Sequence, residues 1–208
     1  MKDSKAFWDK SATRYAKSPV RDEQTYRKKI ALTQAYFEPD WSVLEFGCGT
    51  GSTAILHAPH VRHIVATDIS DRMLEIAERK AREAGVDNIA FQQGTLATVS
   101  LDAGSFDAVL GLNVLHLIDD LDAALARVHG LLKPGGIFVS STALVADIHW
   151  LWRLLIPLMH TAGLAPYVNR FGKSALTTAL SRAGFGIEQQ WQPNKESVFI
   201  VARKPVAG

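Results

Sequence analysis

Val43-Leu44-Glu45-Phe46-Gly47-Cys48-Gly49-Thr50-Gly51 is the stretch that decides how this chain reads. A hydrophobic run delivers the backbone to three glycines spaced two apart, and Ser52 to His57 then reads as a helix. Only glycine turns tightly at positive φ and lets backbone approach a ligand that any side chain would hold off. The helix that follows presents free amide groups to whatever lies at the turn. A dinucleotide site would use the spacing Gly-x-Gly-x-x-Gly, its third glycine packing helix on strand. Here position 52 is Ser, and Glu45 stands two residues before the first glycine. A pyrophosphate is repelled by that carboxylate, whereas a cofactor carrying an ammonium group is attracted.

Outward from this turn, strands and helices alternate. Ser42–Phe46, Val61–Thr67, Ile89–Gln92, Phe106–Leu112 and Ile137–Ser141 read as five successive strands. Ser70 caps a helix through Met73, Leu74, Ala77 and Ala81 that Gly85 closes, and Leu121, Leu125, Val128 and Leu132 line another. Ser174–Ala183 is a last helix closed by Gly184. It is followed by strands Phe185–Trp191 and Ser197–Ala202, joined by a hairpin at Gln192-Pro193-Asn194. The fold class is therefore α/β: a mostly parallel, doubly wound sheet of seven strands with an antiparallel closing strand and helices on both faces. Upstream, the first forty residues are helical. Ser18-Pro19 with Asp22 and Glu23 reads as a helix start, and Pro39 as a stop.

No repeat, low-complexity tract or Pro/Gly/Ser linker divides the 208 residues, so one domain is expected. Its parts are an N-terminal helical lid (1–40), a cofactor-binding core (41–141), a substrate-side insert (142–171) and a closing helix and hairpin (172–204). The formal charge of +2 argues against nucleic acid as a partner. The charge is uneven: Met1 to Ile30 holds nine Lys or Arg against four acids. That surplus reads as a solvated helical face or as a guide for an anionic substrate or membrane. A single cysteine, Cys48, excludes an intramolecular disulfide and suits a reducing compartment. The polar start, and an apolar stretch from Ile137 to Met159 broken by Asp147, His149 and Arg153, predict a cytoplasmic protein without a transmembrane segment. Peripheral membrane contact stays open, and nothing in the sequence sets an oligomeric state.

With its acid and three alternate glycines after a strand, the chain resembles the class I, Rossmann-like methyltransferases of the small-molecule type, over roughly Trp41 to Lys204. The resemblance implies S-adenosylmethionine as cofactor. Glu45, Gly47, Cys48, Gly49 and Gly51 would border its methionine part. Asp68, closing Ile64-Val65-Ala66-Thr67-Asp68, would hold the ribose hydroxyls, with Ile69 against the adenine and Met73 nearby. Gly94, Thr95 and Leu96 fall at the family's adenine-binding place, where many relatives carry Gly-Asp; Thr95 departs from that pattern. Asn113 falls where the chain leaves the fourth strand, beside the methyl group. It is followed by Val114-Leu115 and not by the Pro-Pro-aromatic run of base and amide methylases. His116 is the candidate general base, although methyl transfer often needs only alignment. Tyr15 is expected near the methyl donor, because Trp8, Ala12 and Tyr15 share one helix face, opposite Lys10, Arg14 and Lys17.

His57, His60 and His63 sit three apart, but Pro59 interrupts them; they read as surface histidines and no metal site is expected. The insert from Thr142 to Phe171 carries His149, Trp150, Trp152, Leu154, Leu155, Ile156, Leu158, Met159 and Tyr167, a density suited to an apolar or lipid-like acceptor. The leading expectation is methyl transfer to a small, lipophilic acceptor at oxygen, carbon or nitrogen. The alternatives are a non-catalytic cofactor-binding module and an NAD(P)-dependent oxidoreductase, the latter disfavoured by Ser52 and Glu45.

Overall fold

The computed structural model describes residues 2–147 and 165–206. Seven strands form one sheet: β1 (Ser42–Phe46), β2 (His63–Asp68), β3 (Ile89–Gln93), β4 (Phe106–Leu112), β5 (Leu132–Ala143), β6 (Gly186–Asn194) and β7 (Ser197–Arg203). Their order across the sheet is β3-β2-β1-β4-β5-β7-β6. The first five run parallel, and β7 lies antiparallel between β5 and β6. Among the described residues the α-helices are α1 (Lys2–Lys17), α2 (Glu23–Gln34), α3 (Ser52–His57), α4 (Asp71–Glu83), α5 (Leu121–Leu131) and α6 (Lys173–Arg182).

Side chains alternate across a strand, so neighbouring residues feed opposite faces of the sheet. Val43 of β1 joins Ile64, Leu110 and Val139 beneath Ala54 of α3 and Leu74 of α4. Leu44 and Phe46 join Phe138 beneath Leu125 and Val128 of α5 and Leu176 and Leu180 of α6. Covering both faces is what makes these strands continuous hydrophobic runs in the sequence. It also leaves the carboxyl ends of β1, β2 and β4 as the open edge where such sheets bind ligands.

The helix starts are those of the sequence with one exception. Ser70 caps α4 by accepting the Met73 N–H. The cap of α2, however, is Asp22, whose carboxylate accepts the Thr25 N–H at 2.9 Å. Ser18 instead closes α1, its hydroxyl donating to the Arg14 carbonyl. β5 begins earlier than expected, because Gly135 and Gly136 exchange backbone hydrogen bonds with Lys204. The closing hairpin turns at Lys195-Glu196, where Asn194 pairs with Ser197; Gln192 and Pro193 lie within β6.

His57 is not on the surface. It is fully buried, edge-on to Phe37 at 5.0 Å between ring centres, with neither ring nitrogen hydrogen-bonded. Burial pushes its pKa down to about 3, so it is a neutral core ring. Among the described residues no group of histidines, cysteines and acids could hold a metal, and no helix is long and apolar enough to cross a membrane. The insert's run from His149 to Met159 lies outside the described residues.

Candidate functional site

The turn between β1 and α3 is built from three glycines at positive φ, +67° at Gly47, +54° at Gly49 and +70° at Gly51. The Cys48 N–H donates to the Thr67 carbonyl at 2.9 Å and fastens the turn to β2. Asp68 then organises the rest. Its two carboxylate oxygens accept the Gly49 N–H and the Ser70 N–H, each at 2.9 Å. Asp68 is only 9% exposed, and it shapes the glycine turn itself. Ser70 donates its hydroxyl to Asp9 of α1 at 2.6 Å. Lys5 bridges Asp9 and Asp71 at 2.7 and 2.8 Å, so α1 is pinned to the start of α4 beside the turn.

These contacts wall a largely apolar cavity of about 560 Å³ at the carboxyl ends of β1, β2 and β4. Of the expected site residues, Tyr15, Gly47, Gly49, Asp68, Ile69, Met73, Gly94, Thr95, Leu96 and Asn113 line it. Trp8 joins them from α1, its ring edge-on to Tyr15 at 6.2 Å. Lys10, Arg14 and Lys17 lie on the exposed side of α1.

Four expected residues are not in the lining: Glu45, Cys48, Gly51 and His116. Gly51 is a packing glycine, since a Cβ there would meet Ala77 Cβ at 2.8 Å and the Phe91 ring at 3.3 Å. It lets the start of α3 pack closely against α4 and β3. Gly49 is the glycine that faces space: a Cβ would find nothing nearer than Tyr15 at 3.8 Å. Cys48 is buried, and burial pushes its thiol well above its ordinary range. His116 turns its ring to the Thr142 hydroxyl at 3.4 Å, and burial pushes its pKa down to about 4. A neutral imidazole held toward β5 is poorly placed to take a proton inside the cavity.

Glu45 is 2% exposed, and its Oε2 has no hydrogen-bond partner. Burial, reinforced by the Asp68 charge, pushes its pKa up to about 8. Burial also raises Asp68, against the lowering effect of the Ser70 and Gly49 N–H groups. Tyr15 is raised by burial and then by the field of Asp68, although its side chain remains half-exposed. Among the described residues no cation offsets these two carboxyl groups, a charge arrangement that a ligand ammonium would complete.

The sequence reading missed the cavity's far wall, where Leu117, Ile118, Asp119, Asp120, Ala123 and Arg127 also line it. Asp120 caps α5 by accepting the Ala123 N–H, and an Asp-Asp pair at the end of the β4 connection was the signal available. Thr95 is engaged locally: its N–H donates to the Thr98 hydroxyl at 2.9 Å.

Residues 43–136 match the family model described as a methyltransferase domain. The uncharacterized methyltransferase YcgJ of Bacillus subtilis is 31% identical over 123 residues, covering 57% of this chain and 49% of that protein. The demethylmenaquinone methyltransferase of Symbiobacterium thermophilum is 30% identical over 121 residues, covering 56% of this chain and 47% of that protein. The chain thus spans about half the length of the curated relatives it matches. The crystal structure of YcgJ superposes with a TM-score of 0.72 at 19% identity, covering 87% of this chain and 100% of that one. Geranyl diphosphate C-methyltransferase from Streptomyces coelicolor, solved with Mg2+, geranyl diphosphate and S-adenosyl-L-homocysteine, gives 0.74 at 14% identity, covering 88% and 79%. The segment that carries the glycine turn therefore resembles a methyltransferase domain, and the chain as a whole has the fold of these solved methyltransferase structures.

Proposed function

We propose that the chain binds S-adenosylmethionine in this cavity and transfers its methyl group to a small, lipophilic acceptor at oxygen, carbon or nitrogen. The observation that carries the reading is the cavity itself, which joins the open face of Gly49, the Asp68 carboxylate and the apolar Ile69, Met73 and Leu96 in one wall. Each Asp68 oxygen already accepts one backbone N–H and keeps a second lone pair, matching a ribose diol. Ile69 and Leu96 offer apolar surfaces for a flat base. The unpartnered Glu45 Oε2 lies behind the turn where an ammonium would be welcome.

When bound, S-adenosylmethionine supplies an electrophilic methyl group on a sulfonium. The chain's part is to orient and to exclude water. Trp8 and Tyr15 of α1 cover the cavity, and Asn113, held at φ +57° by its N–H bond to the Ser141 carbonyl at 2.6 Å, fixes the rim where β4 ends. Residues 1–40 are accordingly assigned as the lid, 41–141 as the cofactor core, 142–171 as the acceptor-side insert and 172–204 as the closing unit. The apolar lining supports a lipophilic acceptor, and the single free cysteine supports a cytoplasmic setting.

The test is a screen of cell extracts with methyl-labelled cofactor. Label should enter an organic-extractable small molecule, and a Gly49→Val variant should abolish the transfer. Label entering only protein or nucleic acid would overturn the small-molecule reading.

A further inference from the structure

Three residues of α1, Ser4, Trp8 and Tyr15, line the cavity together with Asp68, Ile69 and Met73. The inner face of that helix is packed, with Ser4, Ser11 and Ala12 all buried. Asp9, on the same helix, is where three donors converge. Its Oδ1 accepts the Ser70 hydroxyl at 2.6 Å and the Arg72 N–H at 3.4 Å, and its Oδ2 accepts Lys5 Nζ at 2.7 Å. A carboxylate of α1 thus stands at the start of α4, where free N–H groups and the positive helix end favour an anion.

Ser70 is the pivot of this junction. Its N–H donates to Asp68 at 2.9 Å, its hydroxyl oxygen accepts the Met73 N–H at 3.1 Å, and its hydroxyl proton goes to Asp9. A chain of bonds therefore runs from Asp9 through Ser70 and Asp68 to the Gly49 N–H, that is, from the covering helix to the glycine turn. Magnitudes separate its members. The Lys5–Asp71 pair at 2.8 Å joins side chains 37% and 52% exposed, and such pairs contribute little. The Ser70–Asp9 bond is short, has a charged acceptor and is made by a fully buried serine; bonds of that kind are the strong ones. Burial raises the Asp9 pKa, but the bonds from Lys5, Ser70 and Arg72 outweigh it and hold the carboxyl below its ordinary value. Every partner in the junction belongs to the chain itself. It holds α1 in place with or without a cofactor, so a ligand of the cavity that α1 walls must wait for it to open.

We propose that Asp9 is a positioning residue of the cofactor site: through Ser70 it latches α1 over the cavity, and release of this latch sets how fast the methyl donor enters and the demethylated product leaves. The assignment rests on the cofactor reading above and adds how that site is opened.

The experiment is stopped-flow tryptophan fluorescence of the full chain mixed with S-adenosylhomocysteine, with Trp8 in the cavity wall as reporter. The slope and intercept of the observed rate against ligand concentration give the association and dissociation rate constants. Asp9→Ala should raise both by about tenfold or more, the factor that loss of a charge-assisted bond allows. Because the latch is made with and without cofactor, affinity should change by less than either rate. Asp9→Asn keeps an acceptor for Ser70 and should lie between wild type and Asp9→Ala; it carries the same test if a thermal melt shows Asp9→Ala unfolded. Lys5→Met, which removes only the exposed pairing, should stay within about fivefold of wild type. Unchanged rates in the Asp9 variants overturn the assignment. So does faster dissociation with unchanged or slower association, because Asp9 would then support the shape of the site and not its opening. A Lys5→Met effect as large as that of Asp9→Ala overturns the role given to Ser70. Failure of wild type to bind S-adenosylhomocysteine would instead overturn the parent reading, and this one with it.

Discussion

Glu45→Gln should stabilise the cofactor-free protein increasingly as pH rises. In the native chain the Glu45 carboxyl is 2% exposed, one oxygen has no partner, and burial with the nearby Asp68 charge holds its pKa at about 8, against 4.5 for the free side chain. Below about pH 4.5 the group is protonated in both states and adds no penalty. As pH rises from there to 8, the unfolded chain ionises while the native chain does not, so stability is lost; above 8 the loss is complete. A gap of about three and a half pKa units corresponds to an upper bound of about 5 kcal/mol. Glutamine cannot ionise and escapes the loss. The assay is urea unfolding of both proteins at pH 5, 7 and 9. His57 and His116, whose burial lowers their pKa values, act in the opposite sense below about pH 6.5 and cancel between wild type and variant. The stability difference should grow by several kcal/mol from pH 5 to 9, and a difference constant within about 1 kcal/mol would refute the reasoning. The same group should release a proton when an ammonium-bearing cofactor binds at pH 7, roughly nine-tenths of one per site if the bound carboxyl ionises fully. Calorimetry in buffers of different ionisation enthalpy reads that release directly.

Asp68→Ala removes the acceptor of the Gly49 and Ser70 N–H groups as well as a ribose partner. Stability should fall by about 2 kcal/mol and S-adenosylhomocysteine affinity by about tenfold or more, measured by urea unfolding and calorimetry; wild-type values for both would reject the assignment. Gly49→Val should fold, with modest strain at φ +54°, and lose the cofactor. Gly51→Val should lose about 2–4 kcal/mol of stability to its clash with Ala77 and Phe91, so thermal melts of the pair separate the lining glycine from the packing one. Hydrogen exchange with and without S-adenosylhomocysteine should show added protection over residues 5–25; protection confined to Glu45–Gly51 and Asp68 would make α1 ordinary packing.

The sequence was most legible where one backbone geometry admits few residues. The three glycines at positive φ, the Ser70 cap and the alternating strands each follow from a local rule. It was least legible where two local rules compete or where the deciding contact is distant. Ser18-Pro19 and Asp22 both satisfy a capping pattern, and only the Ser18 bond back to Arg14 assigns Ser18 to the end of α1. His57 looks polar in a short helix, but the burial of that helix against Phe37 is a tertiary fact. Gly51 and Gly49 are indistinguishable in the motif, and their difference lies in Ala77 and Phe91, more than twenty residues away.

The most direct test of the central claim is a calorimetric titration of the protein with S-adenosylhomocysteine and, separately, with NAD. The cavity described here should bind one S-adenosylhomocysteine per chain, with binding abolished in Gly49→Val, and give no heat with NAD. Saturable binding of NAD with no response to S-adenosylhomocysteine would contradict the assignment of this cavity to a methyl-donor cofactor.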